Sequence, residues 1–366
     1  MKITAKITGI EYKSSLTSEL KEFDVKDFNI NNLPSSSIIK DGGFSCGISK
    51  WVSPKRTRSY PYERIYNTLG QAKKITVIPI IKDEGRRGDR DFIQWDTVSL
   101  MSLLDVFVVF AYYENAEKHP TIEDKITKQK FDNNLVRAKV AEIKNYHSSA
   151  LHWNLKEIED SFPDLIQQIK STYRKIGENL NVEFHNERGI DRFANQFIDG
   201  VNNFMDTSRQ RAQEAQSREF QTIQPKEALS TLTKATITIK NYLGGIYYFT
   251  TDEIKIDGRD IYLIEGKHSR SALLPSIGDI KDGLLKMILY TNLKEVKVDD
   301  VEYNPIPVIK LTSTKLEGSI MSSDNSDIID VFISRQRFSK KQKSIIKNLF
   351  VEAKENNILI NIEKAE

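Results

Sequence analysis

The chain has 366 residues, enough to bury a full hydrophobic core and to form two or three compact units. Its 54 basic and 51 acidic residues leave a net charge of +3, so any nucleic-acid surface must come from local clusters of cations. The single cysteine, Cys46, excludes an intrachain disulfide and a metal site built from several cysteines. No signal-type segment opens the chain and no apolar run approaches about 18 residues, so we expect a soluble cytoplasmic protein without a membrane span.

Residues 1–120 predict an N-terminal α/β region. Residues 62–69 have helical spacing, and residues 75–81 form a β-rich apolar run in which Pro79 predicts an edge strand or a bulge. Residues 96–113 predict a short amphipathic helix followed by a strand that is buried on both faces, because its apolar residues do not alternate with polar ones.

A loop rich in cations and aromatic residues lies within this region. Residues 50–62 carry four basic and three aromatic residues and no acid, a composition that suits a nucleic-acid backbone. A solvated loop would look the same, and both interpretations stay open. The candidate DNA contacts are Lys55, Arg56 and Arg58 in this loop and Arg86 and Arg87 in the charged stretch 83–91.

Residues 121–232 predict long polar helices with apolar residues at heptad-like spacing. We interpret them as a helical insertion before the C-terminal region, residues 233–366. Such an insertion could grip DNA, dimerise or enlarge the scaffold, and the sequence does not choose between these roles.

The most informative segment is a predicted hairpin, in which strands on either side of Asp257-Gly258 alternate in polarity. A two-residue turn at Asp257-Gly258 would place Asp252 opposite Leu263. Because side chains alternate with period two, Asp252, Glu265 and Lys267 are predicted to project from one face.

Two carboxylates and a lysine on one face suit metal-dependent phosphodiester hydrolysis. Mg²⁺ prefers one or two carboxylates plus water and phosphate oxygens, so Asp252 and Glu265 are the predicted metal ligands. Lys267 could stabilise developing charge on the phosphate or help to orient and deprotonate the attacking water. The alternative is a strand end with structural salt bridges.

This arrangement resembles the PD-(D/E)xK nuclease superfamily, and the run from Gly266-Lys267-His268-Ser269 to Met287 resembles its type II restriction endonucleases. The first element here is Thr251-Asp252 instead of Pro-Asp. The resemblance implies a mixed-sheet, restriction-endonuclease-like α/β core, Mg²⁺ as cofactor, double-stranded DNA as substrate, and Asp252, Glu265 and Lys267 as catalytic residues. It also implies a fourth acid from a helix, for which Glu63 is the candidate, and we expect His268 to contact DNA.

Residues 278–293 then predict a helix that packs across the sheet. Strands are predicted at 296–298, 306–311 and 331–333. Residues 335–347 carry six basic residues without an acid and open the last helix, either as a phosphate contact or as an ordinary charged helix face.

The sequence thus predicts a Mg²⁺-dependent, sequence-specific endonuclease. One alternative is a nuclease of the same superfamily that acts in repair or RNA processing, and another is a non-catalytic DNA-binding protein. A two-fold dimer is expected, because a palindromic duplex presents two strands of opposite polarity to one site per subunit.

Overall fold

The structure is a computed structural model that describes residues 1–55, 61–197, 201–221, 235–241 and 246–365. The chain divides into two compact units: unit 1 comprises Met1–Ser18 and Arg211–Glu366, and unit 2 comprises Glu19–Gln210. These boundaries differ from the predicted divisions after residues 120 and 232.

Helices and strands alternate irregularly along the described ranges. The strands are β1 (Lys2–Ile7), β2 (Glu22–Asp24), β3 (Ser36–Asp41), β4 (Phe44–Lys50), β5 (Lys74–Pro79), β6 (Ile81–Asp83), β7 (Arg90–Phe92), β8 (Val106–Ala111), β9 (Tyr113–Lys118), β10 (Ile126–Phe131), β11 (Ala235–Asn241), β12 (Ile246–Thr251), β13 (Glu253–Asp257), β14 (Asp260–Ser269), β15 (Leu293–Val298), β16 (Val301–Glu302), β17 (Asn304–Ser313), β18 (Ser319–Met321) and β19 (Leu359–Lys364). The helices are α1 (Pro61–Thr68), α2 (Trp95–Leu103), α3 (Asn133–Lys144), α4 (Ala150–Leu180), α5 (Arg188–Ala194), α6 (Val201–Gln221), α7 (Ile277–Tyr290), α8 (Ser326–Arg335) and α9 (Lys340–Asn356).

Unit 1 contains two mixed sheets. In the first, the strand order is β12-β11-β1-β15-β16, and β1 pairs in parallel with β11. In the second, the order is β13-β14-β17-β19-β18, with β14, β17 and β19 parallel to one another. The predicted α/β class is therefore confirmed.

Helix α7 covers one face of the second sheet, packing on β14 and β17. Ser276 caps its N-terminus by accepting a hydrogen bond from the Asp279 backbone N–H. The apolar residues of the helix from Ile280 onward are buried. The helix predicted over 278–293 is confirmed, with an end at Tyr290. It is the element that brings further charged side chains to the hairpin.

The strand predicted at 331–333 is wrong, because these residues belong to α8. Asn325 caps this helix by accepting a hydrogen bond from Ile328 N–H, and Phe332 is its buried apolar residue. Three apolar residues in a row favoured a strand locally, but the cap seven residues before Phe332 starts a helix.

Unit 2 is built on a sheet of order β2-β3-β4-β5-β8, with two small hairpin sheets, β6-β7 and β9-β10. Strands β4, β5 and β8 are parallel, and every residue of β8 is buried, as predicted. Helices α3 and α4 contribute Val140 and Trp153 to the same core as Val77 and Val109.

Three local predictions in unit 2 are corrected. Strand β5 lies between β4 and β8 rather than at an edge. Pro79 is tolerated because β4 pairs with β5 only as far as Val77, so on that side Pro79 lies at a local sheet edge. Helix α2 is buried on all sides and is not amphipathic. The predicted helical insertion opens with a strand, β10, and not with a helix.

A search of the described residues finds no helix that is both long and apolar enough to cross a membrane.

Candidate active site

The predicted hairpin is confirmed, but its predicted register is wrong. Ile254 lies opposite Leu263 and Asp257 opposite Asp260, so Gly258 and Arg259 form the turn. Gly258 has φ +59°, a left-handed conformation that suits glycine at the first turn position. Continuing this register by one residue brings Asp252 level with Glu265 rather than with Leu263.

Asp252 lies half-buried between β12 and β13, where its Oδ2 accepts a hydrogen bond of 2.8 Å from the Gly266 backbone N–H. Burial, together with repulsion by the Glu265 carboxylate, raises the Asp252 pKa from 3.8 to about 6. Within the part of the chain that the structure describes, no cation forms an ion pair with Asp252. Among these residues, Asp252 is therefore a carboxylate without an ion-paired cation, although Lys286 and Lys267 act on it electrostatically.

Glu265 is buried in the middle of the charged cluster, with 2% of its side chain exposed. Its Oε1 lies 3.0 Å from the Lys267 Nζ, and its Oε2 lies 2.8 Å from the Lys286 Nζ. Burial opposes ionisation of the carboxyl, but the two ammonium groups outweigh burial and hold its pKa below the usual value. Glu265 is therefore ionised at neutral pH.

Lys267 follows Glu265 by two residues and projects from the same face of β14. Its Nζ lies 3.2 Å from Asp282 Oδ2 in addition to the contact with Glu265. Although burial disfavours its charge, Glu265 and Asp282 raise the Lys267 pKa above its ordinary value. Two acids thus orient the Lys267 ammonium, and Lys267 remains a cation.

Helix α7 supplies two members of the cluster that sequence reasoning missed, Asp282 and Lys286. Their i, i+4 spacing places both on one helix face, and this spacing was the available signal. Gly283 lies between them, and a Cβ at this position would stand 3.2 Å from Lys267 Cε. The absence of a side chain at Gly283 lets Lys267 lie close to the helix.

The donor set fits a hard divalent cation better than a transition metal, because its candidate ligands are carboxylates. Asp252 and Glu265 repel each other, and a cation between them would relieve that repulsion. The ion pairs of Glu265 do not exhaust its oxygens, because each carboxylate oxygen has two lone pairs. Within the described ranges, no group of three or more His, Cys, Asp and Glu side chains is arranged to hold a metal ion.

The predicted residues of the basic-aromatic loop belong to unit 2 or lie outside the described residues. Arg56 and Arg58 fall in the stretch 56–60, which lies outside them. Lys55 is exposed, and its backbone N–H donates to Ser53 Oγ. Glu63 stands in the first turn of α1 and also belongs to unit 2. The helical acid that contacts Lys267, in addition to Glu265, is Asp282 of unit 1.

The predicted contacts Arg86 and Arg87 also belong to unit 2, where both form ion pairs. Arg86 contacts Asp124 and Glu183 at 2.9 and 2.6 Å, and Arg87 contacts Glu123 at 3.8 Å. Both guanidinium groups therefore already have acidic partners.

His268 is exposed near the end of β14, and its Nδ1 lies 2.9 Å from Thr312 Oγ1. Because side chains alternate along a strand, His268 projects from the face opposite to Lys267. It is therefore close in sequence to the charged cluster but does not belong to it.

Comparisons with known proteins identify no relative: no family model, no curated protein and no solved structure matches the chain.

Proposed function

We propose that this protein is a Mg²⁺-dependent endonuclease that hydrolyses phosphodiester bonds of double-stranded DNA in a sequence-specific manner. The observation that carries this proposal is the convergence of Asp252, Glu265 and Lys267 at one end of the hairpin. The alternation of helix α7 with the parallel strands β14 and β17 accords with a restriction-endonuclease-like core.

Asp252 and Glu265 would hold the metal ion. Mg²⁺ supplies Lewis-acid activation of the phosphate and lowers the pKa of bound water. Asp252 must lose its proton to serve as a ligand, and with a pKa of about 6 it does so near neutral pH. Glu265 is already ionised, and Lys286 keeps it in place.

Lys267 acts as an electrostatic group in this proposal. Its raised pKa leaves it protonated at neutral pH, so it does not take a proton from water. A fixed ammonium beside the scissile phosphate stabilises the negative charge that develops in the transition state. Asp282 and Glu265 orient this ammonium through the contacts of 3.2 and 3.0 Å.

One alternative is supported by a specific observation. Both oxygens of Glu265 already contact lysines, which is the pattern of a structural ion-pair network in a DNA-binding protein without catalytic activity. In that case Mg²⁺ would change neither DNA integrity nor the stability of the protein. A nuclease of repair or RNA processing would share the site and differ only in substrate.

Digestion of a supercoiled plasmid with Mg²⁺ or with EDTA, followed by sequencing of the ends, tests the proposal. Discrete fragments with one sequence at every end are expected. Cleavage without a fixed end sequence would instead assign the site to the non-restriction alternative. Intact plasmid with Mg²⁺, over a range of substrate sequences, would contradict nuclease activity.

A further inference from the structure

A cluster of exposed cations lies in unit 1, the unit that contains the candidate active site. Its members are Arg335, Arg337, Lys340, Lys341, Lys343 and Lys347, which we call the C-terminal basic surface. All six side chains are exposed, and residues 331–351 contain no acid. Within the described ranges, no ion pair involves any of the six.

The acid that follows this surface in the chain does not neutralise it. Glu352, the first acid after it, is fully buried and accepts hydrogen bonds from Tyr12 Oη and from the backbone N–H groups of Ser15 and Leu16. Its charge therefore stabilises the N-terminal segment within unit 1. Arg86 and Arg87 form ion pairs with acids of unit 2, whereas these six cations form none within the described residues, which makes the six the stronger anion-binding candidates.

The arrangement of the cations on α9 matches a linear polyanion. Lys340, Lys343 and Lys347 follow i, i+3, i+7 spacing and share one helix face over about 10 Å. Ile346 and Leu349 of the same helix are buried on another face. Lysines in the first turn oppose the helix dipole and cost stability, so their presence there is not explained by folding.

A phosphate backbone fits this surface better than a membrane does. Membrane-binding helices need an apolar face beside their cations. Here Phe338 and Ile346 are buried, and the exposed apolar residues Val331 and Val351 stand at the two ends of the segment 331–351 instead of between its cations. DNA offers closely spaced phosphates, and each lysine that neutralises one releases a counterion.

We infer that the C-terminal basic surface binds the phosphate backbone of double-stranded DNA. The choice of DNA as the partner rests on the proposed function, whereas the recognition of a polyanion rests on the surface itself. The surface contacts backbone and not base edges, so it contributes affinity without sequence preference.

Fluorescence anisotropy with a short labelled duplex, in EDTA and over a series of salt concentrations, tests this inference without cleavage. The test variant replaces Lys340, Lys343 and Lys347 by Gln, which preserves helix propensity. The control variant replaces Lys2, Lys294 and Lys315 by Gln. These are exposed lysines of unit 1 outside the surface, so the control carries the same change in net charge.

The test variant should bind at least about tenfold more weakly than the wild type, with a salt slope lower by about two to three units. The control variant should stay within about threefold of the wild type. Equal losses in both variants would overturn the inference, as would a wild-type protein that does not bind the duplex. The inference would also be overturned if the substitutions weakened binding to phosphatidylserine vesicles but left DNA binding unchanged.

Failure of this inference is distinguishable from failure of the proposed function. Binding of the duplex by the wild type in EDTA requires no cleavage, so this measurement reports on the surface whether or not the proposed nuclease activity exists. If the Lys→Gln variant binds DNA like the wild type, and the wild type cleaves DNA with Mg²⁺, only the inference about the C-terminal basic surface is overturned.

Discussion

The ammonium of Lys286 lies 2.8 Å from Oε2 of Glu265, and it reaches this carboxylate from α7 rather than from the hairpin. Lys267 approaches the other oxygen from β14 itself. Glu265 is thus ionised and immobilised before any cation binds, whereas Asp252 beside it lacks an ion pair within the described residues. This asymmetry leads to separate predictions for the two carboxylates.

Replacement of Lys286 by Met should lower the free energy of unfolding by about 3 kcal/mol, because it leaves the buried Glu265 carboxylate with one cation instead of two. Urea denaturation at neutral pH measures the effect. The double variant with Glu265→Gln should lose less than the sum of the two single variants, because it leaves no uncompensated charge. A strictly additive double variant would show that the contact carries no coupling.

The raised pKa of Asp252 makes the stability of the protein depend on pH. Its folded-state pKa of about 6 exceeds the ordinary value of 3.8, so the folded protein binds the proton more tightly than the unfolded chain does. The stability that this proton contributes is fully present below about pH 4 and is lost as the pH rises through 6.

Asp252→Asn should therefore stabilise the protein by on the order of 2 kcal/mol at pH 7.5, and this gain should vanish near pH 4. Asn keeps an acceptor for the Gly266 N–H. Denaturation curves at the two pH values measure the difference. A variant that is equally stabilised at both values would mean that Asp252 has an ordinary pKa.

Gly283→Ala separates stability from activity. Ala raises helix propensity by about 1 kcal/mol, but its Cβ would stand 3.2 Å from Lys267 Cε and displace the ammonium. We expect a thermal midpoint equal to or above that of the wild type, with cleavage lowered by about three- to tenfold. The matched control is Ser344→Ala on the exposed part of α9, which should raise the midpoint slightly through helix propensity and leave cleavage unchanged.

Light scattering of the protein bound to a palindromic duplex should give two subunits per duplex. The long helix α4 does not provide the interface by means of its apolar stripe, because Trp153, Phe162 and Ile169 are buried within unit 2. One subunit per duplex, with concerted cleavage of both strands, would contradict the dimer.

Part of this arrangement was predictable from the sequence. The alternating pattern on either side of Gly258 was sufficient to predict the hairpin and the shared face of Asp252, Glu265 and Lys267, because period-two alternation is a local property. The register of the hairpin was not predictable from the sequence. Both Asp257-Gly258 and Gly258-Arg259 are acceptable turns, and only packing in the sheet selects one of them.

Long-range pairing was beyond sequence reasoning. Strand β1 pairs with β11, more than 230 residues away, which assigns the first 18 residues to the C-terminal unit. The contacts of Lys286 and Asp282 likewise depend on how α7 packs on the sheet. Local spacing placed both side chains on one helix face but could not indicate what that face contacts.

The rate of Mg²⁺-dependent DNA cleavage by variants of the charged cluster tests the central claim most directly. Asp252→Asn, Glu265→Gln and Lys267→Met should each reduce the rate by at least about a hundredfold, which corresponds to roughly 3 kcal/mol of barrier. The controls Glu253→Gln and Lys255→Gln alter the same hairpin outside the cluster and should retain wild-type rates. Near-wild-type cleavage by any two of the three cluster variants, with folding confirmed by thermal unfolding, would contradict the assignment of the active site.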